Sequence, residues 1–435
     1  MAEYWTRAGR GPWTITTLLA LIWPGVGAEA RAPGAETRVA ALDLPAYGTN
    51  VAPAPQEPAR DTSREALEIF DTLSLFGDPE PWPRYDLESI PVAIYDGQRT
   101  WLYRHPSPPA PFARHASADG VWVMEGQHPA VRGNSSARIG NAETATLLLG
   151  TLTDFPSVRD RAGVAIHEGF HVFQRQTHPE WNAGGMGFEN PATDTHLLAL
   201  RRIETALLHE AVAATRAATA APLARAALDV RQERFAGLPP AVVEFERGIE
   251  LLEGTAQHVQ VTATGSRAGL MALPEHGFGP DSLHMRSYAA GLALATLLER
   301  FWPGWEWAVE HGRHPSLDAA LDHALARLGC DAAPWRDRYQ PALARAEADI
   351  TRLEARRDSL RRDLLARDGW RITIVAPAEA PLQLRGMDPM NLTRLGDGEI
   401  LHSRWVRVGH PTGSAEVLDR AALTAGIDAE PIARG

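Results

Sequence analysis

The sequence predicts an α+β protein, with a small antiparallel sheet packed on a mainly helical core and a β-rich module at the C-terminal end. Three observations carry this. From about 88 to 150, apolar and polar residues alternate between turn residues. From about 157 to 367, apolar residues recur at helical spacing. From 368 the alternation of period two returns. The 435 residues, 44% of them hydrophobic, suffice for one large core and a smaller one.

The N-terminus has the pattern of a signal peptide over residues 1–30. Arg7 and Arg10 precede an uncharged, mostly apolar run from Trp13 to Trp23. Pro24 and Gly25 break that run, and Ala28-Glu29-Ala30 supplies a small-x-small cleavage site. The run is short for a membrane span, and no later segment reaches spanning length. The expectation is a secreted or periplasmic protein with no stable membrane insertion after cleavage. Residues 31–60, rich in Ala, Pro and Gly, are expected to be a flexible leader.

The sheet region opens with a hairpin. Ile90–Tyr95 and Arg99–Tyr103 flank the turn residues Asp96-Gly97. Val121–Met124 and Thr144–Leu149 are further strands, with Asn134-Ser135-Ser136 in a turn-rich stretch between them. One helix is expected from Ser157 to Thr177, with Asp160 in its first turn and Pro179 just past its end. A helical pair follows over 194–236, and another helix runs from Pro239-Pro240 to about Val261. A loop punctuated by Gly and Pro occupies 264–282. Helices resume over Met285–Phe301, Leu317–Leu328 and 336–366, the last with a stripe of Leu343, Ile350, Leu353, Leu360 and Leu364. Arg371–Val375 and Ser403–Val408 read as strands of the module at 368–435.

The formal net charge of -11 argues against nucleic acid or an anionic membrane as the main partner. All 43 basic residues are arginine. Cys330 is the only cysteine, so no intrachain disulfide can form.

The chemistry concentrates in His167-Glu168-Gly169-Phe170-His171. Residues four apart share one helix face, so both imidazoles can reach a single cation. Glu168 would then stand beside a water at the metal and take its proton. Zinc fits, because it is redox-inert and lowers the pKa of bound water to about 7. The helix is otherwise apolar around Val164, Ile166, Val172 and Phe173, where unpartnered polar groups are costly.

A third protein ligand is required. A histidine six residues after His171 would give the metzincin layout, but that position is Thr177, and Gln174 stands where its glycine would be. Glu253 is favoured, on an apolar helix and followed by Gly254, which permits close approach of another backbone or a substrate. Glu204, Glu210 and Glu250 are rival ligands, and Glu204 could instead orient a metal-binding histidine. Gln174 is read as a surface residue or a support for the ligands. Tyr288 is the first choice of oxyanion donor, with His284 and Arg286 as alternatives. His258 has a structural reading as readily as a functional one. Trp302, Trp305 and Trp307 are expected in the core and its rim.

HExxH followed by Glu253-Gly254-Thr255-Ala256 resembles the gluzincins, the thermolysin and aminopeptidase type of metallopeptidase. The resemblance implies a zincin-like domain over 61–367, Zn2+ held by His167, His171 and Glu253, and Glu168 as general base. It also implies a peptide or protein substrate, held as an added strand on a sheet edge within 121–149. The expected activity is that of a secreted zinc metallopeptidase. The rival expectation is an inactive relative that binds or helps assemble envelope components.

Overall fold

The computed structural model describes residues 16–22, 61–76, 80–116, 118–181, 194–280, 283–367, 370–377, 379–387, 391–396, 398–418 and 420–426. Within them the protein is α+β, as its sequence pattern predicts.

In chain order, β1 (Thr16–Ile22) is followed by α1 (Thr62–Leu73), then β2 (Val92–Tyr95), β3 (Arg99–Tyr103) and β4 (Ala113–Arg114). Next come β5 (Val121–Glu125), β6 (Ser135–Ile139) and β7 (Ala142–Leu148). The helical region holds α2 (Val158–Thr177), α3 (Thr195–Ala213), α4 (Ala217–Ala236), α5 (Pro240–Thr264), α6 (Leu283–Phe301), α7 (Trp305–Glu310), α8 (Leu317–Leu328) and α9 (Tyr339–Leu365). The remaining strands are β8 (Trp370–Ala376), β9 (Gln383–Met387), β10 (Leu392–Gly396), β11 (Glu399–His402), β12 (Trp405–His410), β13 (Gly413–Leu418) and β14 (Ala422–Ala425).

The chain divides into two compact units, and the boundary falls inside α9, between Arg356 and Arg357. The pattern change at 367/368 therefore overshoots it. Leu364 packs with Leu401 and Leu423, alongside Leu360, so the last turns of α9 belong to the strand-rich unit. That unit holds a five-stranded sheet, β10-β11-β14-β1-β8, and a three-stranded one, β13-β12-β9. Its β1 occupies the apolar run of the expected signal peptide. The expected leader at 31–60 and the cleavage site at 28–30 lie outside the described residues.

In the larger unit, Thr62–Arg356, the sheet order is β4-β5-β3-β2-β7-β6. All its neighbours pair antiparallel except β2 and β7, which run parallel. Asp96 fixes the β2–β3 hairpin, accepting from the backbone N–H groups of Gln98 and Arg99 and from Trp101 Nε1, while Gly97 takes φ +102°. Alternation sorts the sheet's two faces. Val92, Ile94, Trp101, Ala145 and Leu147 join the main core, whereas Ala93, Leu102 and Ile139 face a smaller cluster with Phe112 and Val131.

Helix α2 starts as its sequence requires. The Ser157 hydroxyl caps the Asp160 N–H, and the Asp160 carboxylate returns to the Ser157 N–H. Asp194 caps α3 in the same way, through the N–H of Leu197. Helices α2 and α5 run antiparallel, since Gly163 meets Gln260 and Thr264 at one end while Gln174 meets Leu252 and Thr255 at the other. Helices α5 and α6 run parallel, since Glu246 meets Arg286, Gly254 meets Gly291 and His258 lies with Glu299. At the Gly254–Gly291 crossing the backbones touch: a Cβ on Gly254 would sit 2.6 Å from Gly291 Cα. The glycine after Glu253 thus admits another helix.

A buried ion lattice joins α3 to α6. Glu204 accepts from Arg231 Nε at 2.8 Å, Arg234 Nε at 2.9 Å and Arg286 at 2.5 Å. Arg231 grips Glu250 with two bonds of 2.6 and 2.8 Å, and Arg234 grips Glu246 with bonds of 2.9 and 2.5 Å. Arg201 adds a contact of 3.3 Å to Glu246. Burial works against ionised Glu204, but the three guanidinium groups outweigh it and hold its pKa down at about 2.

Glu204→Gln keeps the volume and leaves three buried guanidinium groups without their shared anion. It should cost about 3–5 kcal/mol of stability, read as a lower denaturation midpoint; a midpoint equal to wild type would show that the lattice is not under load.

Candidate metal centre

The three sequence-favoured ligands converge. Successive turns of α2 present His167 and His171, and their Nε2 atoms lie 3.1 Å apart. Helix α5 brings Glu253 Oε2 to 3.4 Å from the first and 3.3 Å from the second. The donor atoms form a nearly equilateral triangle. A tetrahedral zinc with bonds of about 2.0–2.1 Å needs its ligand atoms about 3.3–3.4 Å apart. The donor set, two imidazoles and one carboxylate, matches zinc in both chemistry and spacing.

The tautomer of His171 is fixed from behind. Gln174 Nε2 donates to the Leu252 carbonyl and to Thr255 Oγ1, both at 2.9 Å, and this turns its Oε1 toward His171 Nδ1 at 2.7 Å. A carbonyl can only accept, so the amide orientation is set, Nδ1 must carry the proton, and Nε2 is free to face the cation. Gln174 is 1% exposed, which removes its surface reading. His167 Nδ1 is buried without a hydrogen-bond partner among the described residues.

Glu168 is buried beside this triangle. Burial raises its pKa; His167 and His171 work against that, and Glu253 adds to it. For Glu253 burial also opposes ionisation, but the adjacent imidazoles outweigh it and hold the carboxyl well below the usual range. For His171 burial disfavours the charged ring, and Glu253 overturns this, lifting the pKa to about 9. The proton on His171 is thus held between the two side chains by Glu253.

Tyr288, from the second turn of α6, reaches the same place. Its hydroxyl lies close enough to the Glu253 and Glu168 carboxylates for both to act on it. Burial first, then Glu253 and Glu168, push its pKa up, so the phenol remains a donor at all physiological pH values.

The rival ligands are occupied elsewhere. Glu204 and Glu250 belong to the arginine lattice, as does Arg286, the alternative oxyanion donor. Glu210 pairs with Arg338. Glu204 therefore does not orient a histidine of the triangle. The His284 side chain lies outside the described residues. His258 is bonded to Glu306, Trp305 is fully buried and Trp307 is half exposed. Sequence reasoning missed the lattice, although Arg231/Arg234 and Glu246/Glu250 stand at helical spacings that put each pair on one face.

Comparison with family models, with curated proteins and with solved structures found no match to this chain.

In a chelator competition, zinc affinity should rise with pH, by up to about tenfold per unit from neutral to about 9, because the proton on His171 must leave. Gln174→Leu should weaken affinity by about 10–100-fold at every pH. A flat pH dependence, or an unaltered variant, would contradict the geometry of the tautomer.

Proposed function

We propose that the protein is an exported zinc-dependent hydrolase of gluzincin type that cleaves peptide bonds. The observation that carries this reading is the triangle of His167, His171 and Glu253, with edges of 3.1–3.4 Å and Glu168 beside it.

Bound zinc would supply Lewis acidity and lower the pKa of a water to about 7. The remaining roles fall to the chain. Glu168, buried and more basic than an ordinary carboxylate, is placed to accept a proton and return it to a leaving amine. Tyr288 keeps its proton and can donate to an oxyanion developing beside the metal.

The peptide class is supported by the gluzincin-like sequence pattern and by a sheet edge. Among the described residues strand β6 pairs only with β7, ends the sheet on that side and packs against α2. An extended chain can add to such an edge and lie along the metal-binding helix. Export rests on residues 1–30 alone, and cleavage after Ala30 would also remove β1 from its sheet.

Glu168→Gln should retain zinc and lower kcat on a peptide library by about 10²–10⁴-fold. Tyr288→Phe should lower kcat by about 10²–10³-fold with KM little changed. Zinc bound at full stoichiometry with no cleavage of any peptide would instead favour a binding role. Protein recovered from outside the cytoplasm should have a mass that starts at residue 31; an intact N-terminus would refute the cleaved leader.

A further inference from the structure

The same two parallel helices carry a second set of metal donors. His258 on α5, Glu299 near the end of α6 and Glu306 in the first turn of α7 each offer an atom within 4.8 Å of the others. His258 Nε2 lies 3.1 Å from Glu306 Oε1. The set is distinct from the first triangle. His258 is five positions beyond Glu253, about 7.5 Å along the helix axis.

Its charges are unbalanced. Among the described residues neither Glu299 nor Glu306 is paired with an arginine, in a chain with 43 of them. Two carboxylates are instead held side by side against one imidazole. Glu299 stands at the solvent-exposed end of the set, Glu306 is half-buried and His258 is buried. Elsewhere this protein meets paired carboxylates with guanidinium groups, as the lattice shows.

A separate observation points to a ligand. The Trp305 ring is fully buried and packs edge-on against His258, with ring centroids 5.2 Å apart. Its Nε1–H is buried with no hydrogen-bond partner among the described residues. A buried donor left open beside His258 can steady a carboxylate that a cation holds there.

We propose that His258, Glu299 and Glu306 bind a second divalent transition-metal cation, zinc-like in its preference for imidazole and carboxylate, with Trp305 as the donor behind Glu299. Imidazole in the set favours zinc over calcium or magnesium. The ion clasps α5 to the α6–α7 turn, where Gly304 adopts φ +81°. Behind the clasp, Trp82 packs on both Trp305 and Phe170 of the HExxH helix. The role is structural support for the wall behind the first site.

The test is zinc stoichiometry on the full chain, by titration and by elemental analysis after gel filtration. Wild type should bind two equivalents. His258→Ala and Glu306→Gln should each bind one, and His171→Ala should lose the other one. Glu306→Gln preserves volume and an acceptor for His258, so it tests the site without emptying the core. Thermal scans in excess chelator set each protein's own metal-free midpoint. Added zinc should then raise wild type further than the variant. Two equivalents retained in both His258→Ala and Glu306→Gln would overturn the proposal. So would a single equivalent in wild type that only His171→Ala removes, and that result would leave the first site standing.

Discussion

Four buried arginines hold the helical unit together, and they can be buried only because four carboxylates meet them. Arg201, Arg231, Arg234 and Arg286 are each at most 4% exposed. Against them stand Glu204, Glu246, Glu250 and, at 3.9 Å from Arg231, Asp318. Removing so many charges from water costs several kcal/mol per ion, and only near-complete pairing offsets it. Arginine suits the task because its planar fork makes two parallel bonds to one carboxylate, as Arg231 and Arg234 do. The lattice fixes α3, α4, α5 and α6 by direction as well as distance, which apolar packing does less sharply.

That fixation governs the candidate metal centre. Glu250 lies one turn before Glu253, and Arg286 lies two residues before Tyr288. The lattice therefore anchors the two helices that carry Glu253 and Tyr288. Gln174 performs the complementary task on α2, tying His171 to the backbone of α5. Sequence favoured Glu253 over Glu204, Glu210 and Glu250 without showing what occupies the others. The arginines separate them: Glu204, Glu210 and Glu250 have guanidinium partners, and Glu253 has two imidazoles instead.

Much of the fold was legible where local physics decides it. The capping box at Ser157 and Asp160, the cap at Asp194, the Pro239-Pro240 start and the Asp96-Gly97 turn all act within a few residues. The HExxH face and its glutamate were legible because both chemistry and spacing are unusual. What failed to show was set by distant contacts. Strand β6 begins in a stretch of turn-forming residues and is held by its pairing with β7. The parallel β2–β7 pair depends on a crossover of the chain that no local pattern records. Helix α1 abuts a leader-like segment, and Phe70 and Ile69 of it are recruited by the core of α2 and the sheet. Helix α7 is too short to show a period.

The close crossing of α5 and α6 has a mechanical consequence. Their parallel course, with Gly254 against Gly291, places three polar centres at successive levels of one helix pair. The arginine lattice lies at one end, Glu253 and Tyr288 in the middle, and His258 with Glu299 at the other. A slip of one helix past the other by a single turn, about 5.4 Å, would break all three together. The pair behaves as a toothed rack rather than a smooth slide: intermediate positions satisfy none of the centres, so the helices are either in register or disengaged.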